Sequence, residues 1–418
     1  MQLKRVVVTG LGAVTPLGNN VKDYWTNLVN GVSGAAIITR FDATKFKTRF
    51  ACEVKGFNPE DYFDKKEARR VDAFTHYGIA AATQAMADSG LDKAEGIDKN
   101  EIGVIWGSGI GGLDTFQTET FAFAKGDGTP RFNPFFIPKM IADICSGHIS
   151  IRFGLRGPNF TTVAACASST NALIDAFNYI RLGKANAIVT GGSEAAINES
   201  GMGGFNACQA MSLNNDSPQT ASRPYDATRD GFVLGEGGGA LILEELEHAL
   251  ARGAKIYAEV IGGGMSGDAY HITAPHPDGL GATLVMQRAL KDAEISANEI
   301  DYINTHGTST PLGDGAELKA IANVFGENAF KMNISSTKSM TGHLLGAAGA
   351  IEAIATVLAV QNDIIPPTIN HTTVDPDIDP RFNLTLNKMQ KRTVNAAITN
   401  TFGFGGHNAA VVLRKFKQ

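Results

Sequence analysis

Three residues that lie far apart in the sequence are of types that could together perform covalent catalysis: Cys166, His306 and His343. Cys166 lies within residues 164–172, where a strand-like run passes directly into a helix with a small, polar first turn. Unpaired N–H groups and the positive end of that helix would favour thiolate over thiol, and the thiolate is the nucleophilic form. The segment therefore indicates a nucleophile, with a small buried core residue as the alternative.

Both histidines lie in polar, glycine-containing segments that suit a cleft better than a core. His306 follows a strand-like run and precedes a glycine and several hydroxyl residues. His343 begins a helix rich in Gly and Ala, where the dipole disfavours imidazolium and keeps a neutral ring that can donate a hydrogen bond. Each histidine alone also fits a structural role, whereas together with the cysteine the two indicate a catalytic set.

A third segment, residues 400–408, is dense in glycine and is predicted to form a turn at the end of a strand. Glycine lets the backbone approach a substrate closely and present N–H groups to a developing oxyanion. We therefore expect an oxyanion hole here, with an ordinary turn as the alternative.

Strands and helices alternate among the elements that must position these residues. Short β-branched runs end in glycine, and helical patterns lie between them, which predicts an α/β fold with largely parallel or mixed sheets. Three segments have counterparts later in the chain: residues 105–109 resemble 303–307, residues 162–166 resemble 336–343, and residues 188–192 resemble 398–403. This indicates an internal duplication, with halves at residues 1–253 and 254–418 and a site that draws on both.

Composition excludes several classes of protein. The chain has 418 residues, 43% of them hydrophobic, so it can bury a large core. A net charge of −5 without a basic stretch argues against a nucleic-acid partner. The four cysteines form no C-x-x-C pair, which argues against a zinc site or a disulfide scaffold.

The N-terminus has no signal-peptide pattern, so we predict a cytoplasmic protein. The apolar stretch 344–360 contains Glu352 and falls short of the roughly 20 residues that a membrane span needs. It is predicted to be a buried core helix, with no membrane association.

These segments resemble those of the β-ketoacyl-acyl carrier protein synthases, and the likeness extends essentially end to end. It includes residues 221–226, 229–237 and 268–275, the last of which is similar to the type II bacterial elongating branch. The set of one Cys and two His excludes the initiating type III branch, which has Asn in place of the second His. The resemblance implies a thiolase-like fold, with two duplicated halves in a five-layer α/β/α/β/α arrangement, and a homodimer.

The resemblance also implies a two-stage condensation. Cys166 would take a fatty acyl group from acyl carrier protein, and malonyl-acyl carrier protein would then bind and lose CO2. The resulting carbanion would attack the acyl thioester and give a 3-oxoacyl chain two carbons longer. His306 and His343 would stabilise charge on the malonyl thioester oxygen. The backbone N–H groups of Cys166 and Phe404 would form the oxyanion hole, and Phe404 would gate the nucleophile.

The same residue-by-residue match implies supporting roles. Lys338 is expected to pair with Glu317 and organise the histidine environment, with Asp314 in the same polar shell. The implied substrate-binding residues are Ile110 in the acyl pocket, Thr273 at the phosphopantetheine arm, Thr308 and Phe402. Phe135 or Phe136 is expected to reach the acyl pocket across the dimer. No metal is expected, and no cofactor other than the phosphopantetheine that the substrates carry.

Carrier proteins are acidic, so the resemblance also implies a basic patch. The candidate residues, at helical spacing, are Lys65, Lys66, Arg69 and Arg70, although four exposed cations also fit a plain solvated face. Where relatives carry Arg in an Ala-Arg-Ala stretch, this chain has Gln209, so one carrier contact is missing or replaced.

Three rival functions share parts of this pattern. A polyketide ketosynthase would have the same fold and motifs. A non-catalytic chain-length partner would lack the nucleophile, which is present. A cysteine thioesterase would need a strong general base and access of water to the thioester.

Overall fold

The β-branched runs form one ten-stranded sheet and two short ribbons in the computed structural model, which describes residues 3–417. The strands are β1 (Val6–Val14), β2 (Ala36–Ile37), β3 (Phe50–Ala51), β4 (Ile102–Gly107), β5 (Asn159–Thr162), β6 (Ala187–Glu194), β7 (Gly237–Glu245), β8 (Ala258–Gly267), β9 (Tyr302–Asn304), β10 (Asn333–Ser335), β11 (Ile364–Ile365), β12 (Gln390–Lys391), β13 (Ala396–Gly403) and β14 (His407–Arg414). The ribbons are β2–β3 and β11–β12.

Helices fill most of the connections between the strands. They are α1 (Val21–Val29), α2 (Lys65–Ala68), α3 (Ala73–Ser89), α4 (Leu113–Lys125), α5 (Phe136–Met140), α6 (Ile144–Phe153), α7 (Ser168–Arg181), α8 (Glu199–Ala207), α9 (Leu246–Ala251), α10 (Leu280–Asp292), α11 (Pro311–Phe325), α12 (Lys338–Thr341) and α13 (Ala348–Asn362).

The order of the strands shows the duplication directly. The sheet runs β10-β9-β13-β14-β8-β1-β7-β6-β4-β5, so the order on one side of the β8–β1 contact mirrors the order on the other. In each half the inner strands pair antiparallel and the outer strands pair parallel. The predicted duplication is therefore confirmed. The predicted boundary at 253/254 falls in the connection between α9 and β8, and the division into units at that boundary stays a prediction.

Each half of the sheet is covered on both faces. Strand β7 illustrates the pattern, because Leu241 and Leu243 belong to one apolar cluster whereas Ala240 and Ile242 belong to another. The first cluster contains α7 and α13, which lie between the two halves, and the second contains α3 on the outside. Helices α10 and α11 cover the outer face of the other half. These layers give the predicted α/β/α/β/α arrangement.

The apolar stretch that includes α13 is the core helix that the sequence predicts. Residues Leu345–Asn362 have the length and mean hydropathy of a membrane span, but 89% of them are buried inside the fold. Helix α13 joins the two halves, because it contacts both α7 of the first half and the strands β13 and β14 of the second half.

Candidate active site

Cys166 occupies a tight turn between β5 and α7. The 3-10 turn Ala165–Ala167 places Ala165 at a φ of 49°, a left-handed conformation that costs a non-glycine residue on the order of 1 kcal/mol or more. The second half repeats this turn at Leu345–Ala347, where Leu345 has the same φ. The two turns pack against each other, so the nucleophile candidate lies at the junction of the halves.

The structure brings the cysteine and both histidines together. The Sγ atom of Cys166 lies 3.0 Å from Nε2 of His343. The ring of His306 lies edge-to-face with that of His343, with centroids 5.3 Å apart and an interplanar angle of 87°. His306 follows β9 and His343 follows α12, so the cluster combines residues from both halves, as expected.

Burial controls the charge state of all three groups. It lowers the pKa of both imidazoles well below the usual value, and the nearby Lys338 ammonium lowers the pKa further, so His306 and His343 are neutral near pH 7. Burial raises the pKa of the Cys166 thiol to about 12, although Lys338 and the N–H of Phe404 oppose this. Burial therefore acts against the thiolate that the sequence predicts.

The predicted pairing of Lys338 with Glu317 is wrong. Lys338 forms its ion pair with Glu352 of α13, and both side chains are buried. The oxygens of Glu317 are already occupied, because they accept the N–H groups of His306 and Gly307, each at 2.9 Å. Glu317 therefore holds the backbone of His306, while Lys338 acts on the histidines through its charge.

Asp314 also holds backbone rather than a histidine ring. Its Oδ1 accepts the N–H of Ser309 at 3.1 Å, and its Oδ2 accepts the N–H of Tyr225 at 3.1 Å. Burial raises the pKa of Asp314 to about 6, which Arg229 opposes from 3.7 Å away. The predicted polar shell thus stabilises the loop that follows His306.

A cavity of about 400 Å³ opens onto the cysteine. Eight predicted site residues line it: Cys166, Thr273, His306, Thr308, Glu317, His343, Phe402 and Phe404. Ile110, Lys338 and Asp314 are outside this lining. Within residues 3–417 no group of three or more His, Cys, Asp or Glu side chains is arranged to hold a metal ion.

The predicted carrier patch surrounds a separate surface cavity. Its four cations are Lys65, Lys66, Arg69 and Arg70, and residues 133–135 complete the lining. The guanidinium of Arg70 lies 5.0 Å from the ring centre of Phe135. Phe136 instead stacks on Phe132 within the same chain, at 5.3 Å. Gln209 lies elsewhere, on the lining of the cysteine cavity.

Sequence reasoning missed several residues around the site. Phe232 packs edge-to-face on His343 at 5.5 Å, and Glu194 is fully buried at the end of β6. The sequence identifies Glu352 only as a charge within an apolar helix, and its ion pair with Lys338 is seen only in the structure. A signal was present for both carboxylates, since an acidic residue in a buried strand or helix needs a partner.

Comparison with known proteins decides the family. Residues 3–249 match the model described as Beta-ketoacyl synthase, N-terminal domain, and residues 257–372 match Beta-ketoacyl synthase, C-terminal domain. The chain belongs to the β-ketoacyl synthase family. It is 49% identical over 416 residues to 3-oxoacyl-[acyl-carrier-protein] synthase 2 of Staphylococcus aureus (strain COL), covering 100% of this chain and 99% of the relative.

Solved structures of β-ketoacyl synthases share this fold. A β-ketoacyl synthase from Burkholderia phymatum STM815 is 35% identical with a TM-score of 0.91, and the match covers 99% of this chain and 100% of that one. A type II polyketide ketosynthase solved with its acyl-carrier protein is 33% identical with a TM-score of 0.89, covering 100% of both chains. These findings confirm the predicted family, the thiolase-like fold and the class of acyl-transferring condensing enzyme.

Proposed function

We propose that this β-ketoacyl synthase joins an acyl group held on Cys166 to malonyl-acyl carrier protein, releasing CO2 and 3-oxoacyl-acyl carrier protein in fatty acid elongation. The observation that carries the proposal is the 3.0 Å contact between Cys166 Sγ and His343 Nε2, with His306 in the same cavity. A sulfur nucleophile and two neutral imidazoles are the groups that this chemistry needs.

The first stage is acyl transfer to sulfur. The thiol proton moves to His343 Nε2 as sulfur attacks the acyl carbonyl carbon, and the same proton returns to the departing carrier thiol. Backbone N–H groups of Cys166 and Phe404 stabilise the oxyanion, a role supported by their position beside the sulfur. The carrier leaves, and the acyl chain remains as a thioester.

The second stage breaks the bond between the malonyl carboxylate and its α-carbon. Its electrons pass to the enolate, whose oxygen accepts hydrogen bonds from His306 and His343, and CO2 departs. The carbanion attacks the acyl thioester, and collapse of the tetrahedral intermediate expels the Cys166 thiolate, which takes up one proton. Neutral rings suit this role, because each can present one N–H donor. His343 accepts the thiol proton in the first stage as its Nδ1–H tautomer and donates in the second stage as its Nε2–H tautomer.

Substrate and carrier contacts belong to the same proposal. Thr273 and Thr308 line the cavity and offer hydroxyl groups to the phosphopantetheine arm, and Phe402 packs near His306 with ring centroids 5.6 Å apart. The four cations around the second cavity would bind the acidic carrier protein. No metal takes part, and the location is cytoplasmic.

A homodimer is part of the proposal because one edge of the sheet is uncovered. Strand β10 is buried, and Ile334 on its outer edge donates its N–H to the carbonyl oxygen of Asn383 at 2.8 Å. Its counterpart β5 is partly exposed, no strand within residues 3–417 pairs with its outer edge, and the adjacent Val163 is 62% exposed. A second copy pairing along β5 would cover this edge. Phe135 is exposed and could then reach the partner's acyl pocket.

The test is a reconstituted reaction. Purified protein is mixed with acyl-carrier and malonyl-carrier protein, and mass spectrometry follows the mass of Cys166 and the product. An acyl adduct on Cys166 and one two-carbon extension per encounter are expected, and Cys166→Ala should give neither. Repeated malonyl extension would favour a polyketide ketosynthase. An adduct that only hydrolyses would favour a thioesterase.

A further inference from the structure

Glu194 is a buried carboxylate that the reaction above does not use. It ends β6 and has no solvent exposure. Its Oε2 accepts the N–H of Gly109 at 2.7 Å and that of Gly346 at 3.0 Å. Its Oε1 accepts the N–H of Ile110 at 3.1 Å and the hydroxyl of Ser108 at 3.2 Å. Because a buried carboxylate is costly unless such donors surround it, this set of contacts is strongly specified.

Three turns meet at this carboxylate without side chains between them. A Cβ atom on Gly346 would lie 2.3 Å from the backbone N of Gly109 and 2.6 Å from Glu194 Oε2. A Cβ atom on Gly109 would lie 3.2 Å from the carbonyl oxygen of Ala165, in the turn that holds Cys166. A shift of the Glu194 carboxylate would therefore move residues 108–111 and 345–347 relative to the nucleophile.

One of the two anchored turns, residues 345–347, carries an apolar side chain beside Cys166. Leu345 lines the cavity and shares an apolar cluster with Cys166. That cluster of buried side chains also contains Ile197 and Met202. Ile110, on the other turn, is expected from the family resemblance to line the acyl pocket, and in this structure it is outside the lining of the cysteine cavity.

We propose that Glu194 is a positioning residue that sets the acyl-chain preference by holding the turns at residues 108–111 and 345–347 against the turn that carries Cys166. The inference rests on the proposed function, because it requires an acyl group on that sulfur. A misplacement of about 1 Å in such a site can cost about a hundredfold in rate, so small shifts of these turns change which chains fit.

The experiment compares Glu194→Gln with the wild type. The amide replaces one acceptor oxygen with an NH2 group that faces N–H donors, so at least one of the turns loses its anchor. The readout is the second-order rate of Cys166 acylation by carrier proteins bearing a short, a medium or a long saturated chain. We expect the ratio of rates between chain lengths to change by about tenfold or more. Release of CO2 from malonyl-carrier protein, which uses the histidines, should fall much less.

Glu244→Gln is the matched control. Glu244 is equally buried at the far end of the neighbouring strand β7 and binds Arg252, His248 and Thr9, away from the cavity. The Glu244→Gln variant should be less stable than the wild type, but its ratios of Cys166 acylation rates between chain lengths should be unchanged. Glu194→Asp, which keeps the charge but is one methylene shorter, replaces the Gln variant if that variant does not fold.

The outcomes separate the two proposals. A wild-type enzyme that accepts no acyl group would overturn the proposed function and the positioning role with it. Normal wild-type acylation with unchanged chain-length ratios in the Glu194 variant would overturn the positioning role alone. A change in these ratios in Glu244→Gln as large as in Glu194→Gln would also overturn it, since the effect would then follow stability rather than position.

Discussion

At Cys166 two local effects act in opposite directions. The start of α7 and the N–H of Phe404 favour an anion, whereas burial raises the pKa of the thiol to about 12. Burial therefore favours the thiol form, and a nucleophile in that form needs an acceptor for its proton. His343 Nε2, at 3.0 Å, is the neutral base within reach.

Replacing either histidine should separate the two stages. We expect His306→Ala and His343→Ala each to lower CO2 release from malonyl-carrier protein by about 10²–10³, the usual loss for one oxyanion donor. Only His343→Ala should also slow acylation, because His306 makes no hydrogen bond to the sulfur. Initial rates of CO2 release and the mass of Cys166 measure both effects. Wild-type CO2 release by His306→Ala would contradict the assignment.

The ion pair of Lys338 can be tested through stability. Lys338→Met leaves Glu352 buried without a partner, which should cost about 3–5 kcal/mol in the free energy of unfolding. Adding Glu352→Leu should recover most of this loss, and adding Glu317→Leu should not. Denaturant titration of the single and double variants measures the difference. If Glu317→Leu instead recovered the stability lost in Lys338→Met, the result would support the pairing of Lys338 with Glu317 that the sequence predicts.

On the scale of single elements, the loop between β9 and α11 depends on two buried carboxylates. Glu317 and Asp314 lie in the first turns of α11 and accept backbone N–H groups from residues 306–309. The helix thus fixes the loop that carries His306, and its own position depends on packing in the outer layer of the second half.

Glu317 should give the stability a dependence on pH. Burial raises its folded-state pKa to about 7, above the value of 4.5 for an exposed group. Between these values the folded state holds a proton that the unfolded state has lost, so this contribution to stability falls as pH rises through the window. Unfolding titrations should show a flatter slope for Glu317→Gln than for the wild type. Identical slopes would contradict the raised pKa.

On the scale of the whole molecule, the two halves differ at their sheet edges. Val163→Lys places a charge beside the exposed β5 edge, so sedimentation velocity should show a monomer where the wild type sediments as a dimer. Val374→Lys is the control, because Val374 is 72% exposed and its backbone pairs with Asp226 rather than with β5. A monomeric wild type, or a dimeric Val163→Lys variant, would contradict pairing along β5.

The basic patch should act on the carrier and not on the chemistry. We expect the double change Lys65→Glu and Arg69→Glu to raise KM for acyl-carrier protein about tenfold and to leave kcat nearly unchanged. Added salt should reduce the difference in KM between the variant and the wild type, because it screens the charges on both proteins. Lys388→Glu with Lys391→Glu is the control, because these two exposed lysines lie at β12 and outside the lining of the patch cavity. An equal rise in KM for both pairs would argue against a specific carrier patch.

The sequence by itself determined the fold class, the duplication and the residues that could react. Strand runs, glycine turns and helix starts are local patterns, so they predict Cys166, His306, His343 and the repeated order of elements. Which buried charges pair was decided only by the tertiary structure. Lys338 contacts Glu352 because α12 and α13 pack together, and Glu317 is occupied by backbone donors. Burial, which raises the pKa of Cys166 and lowers the pKa values of His306 and His343, likewise depends on all layers being in place.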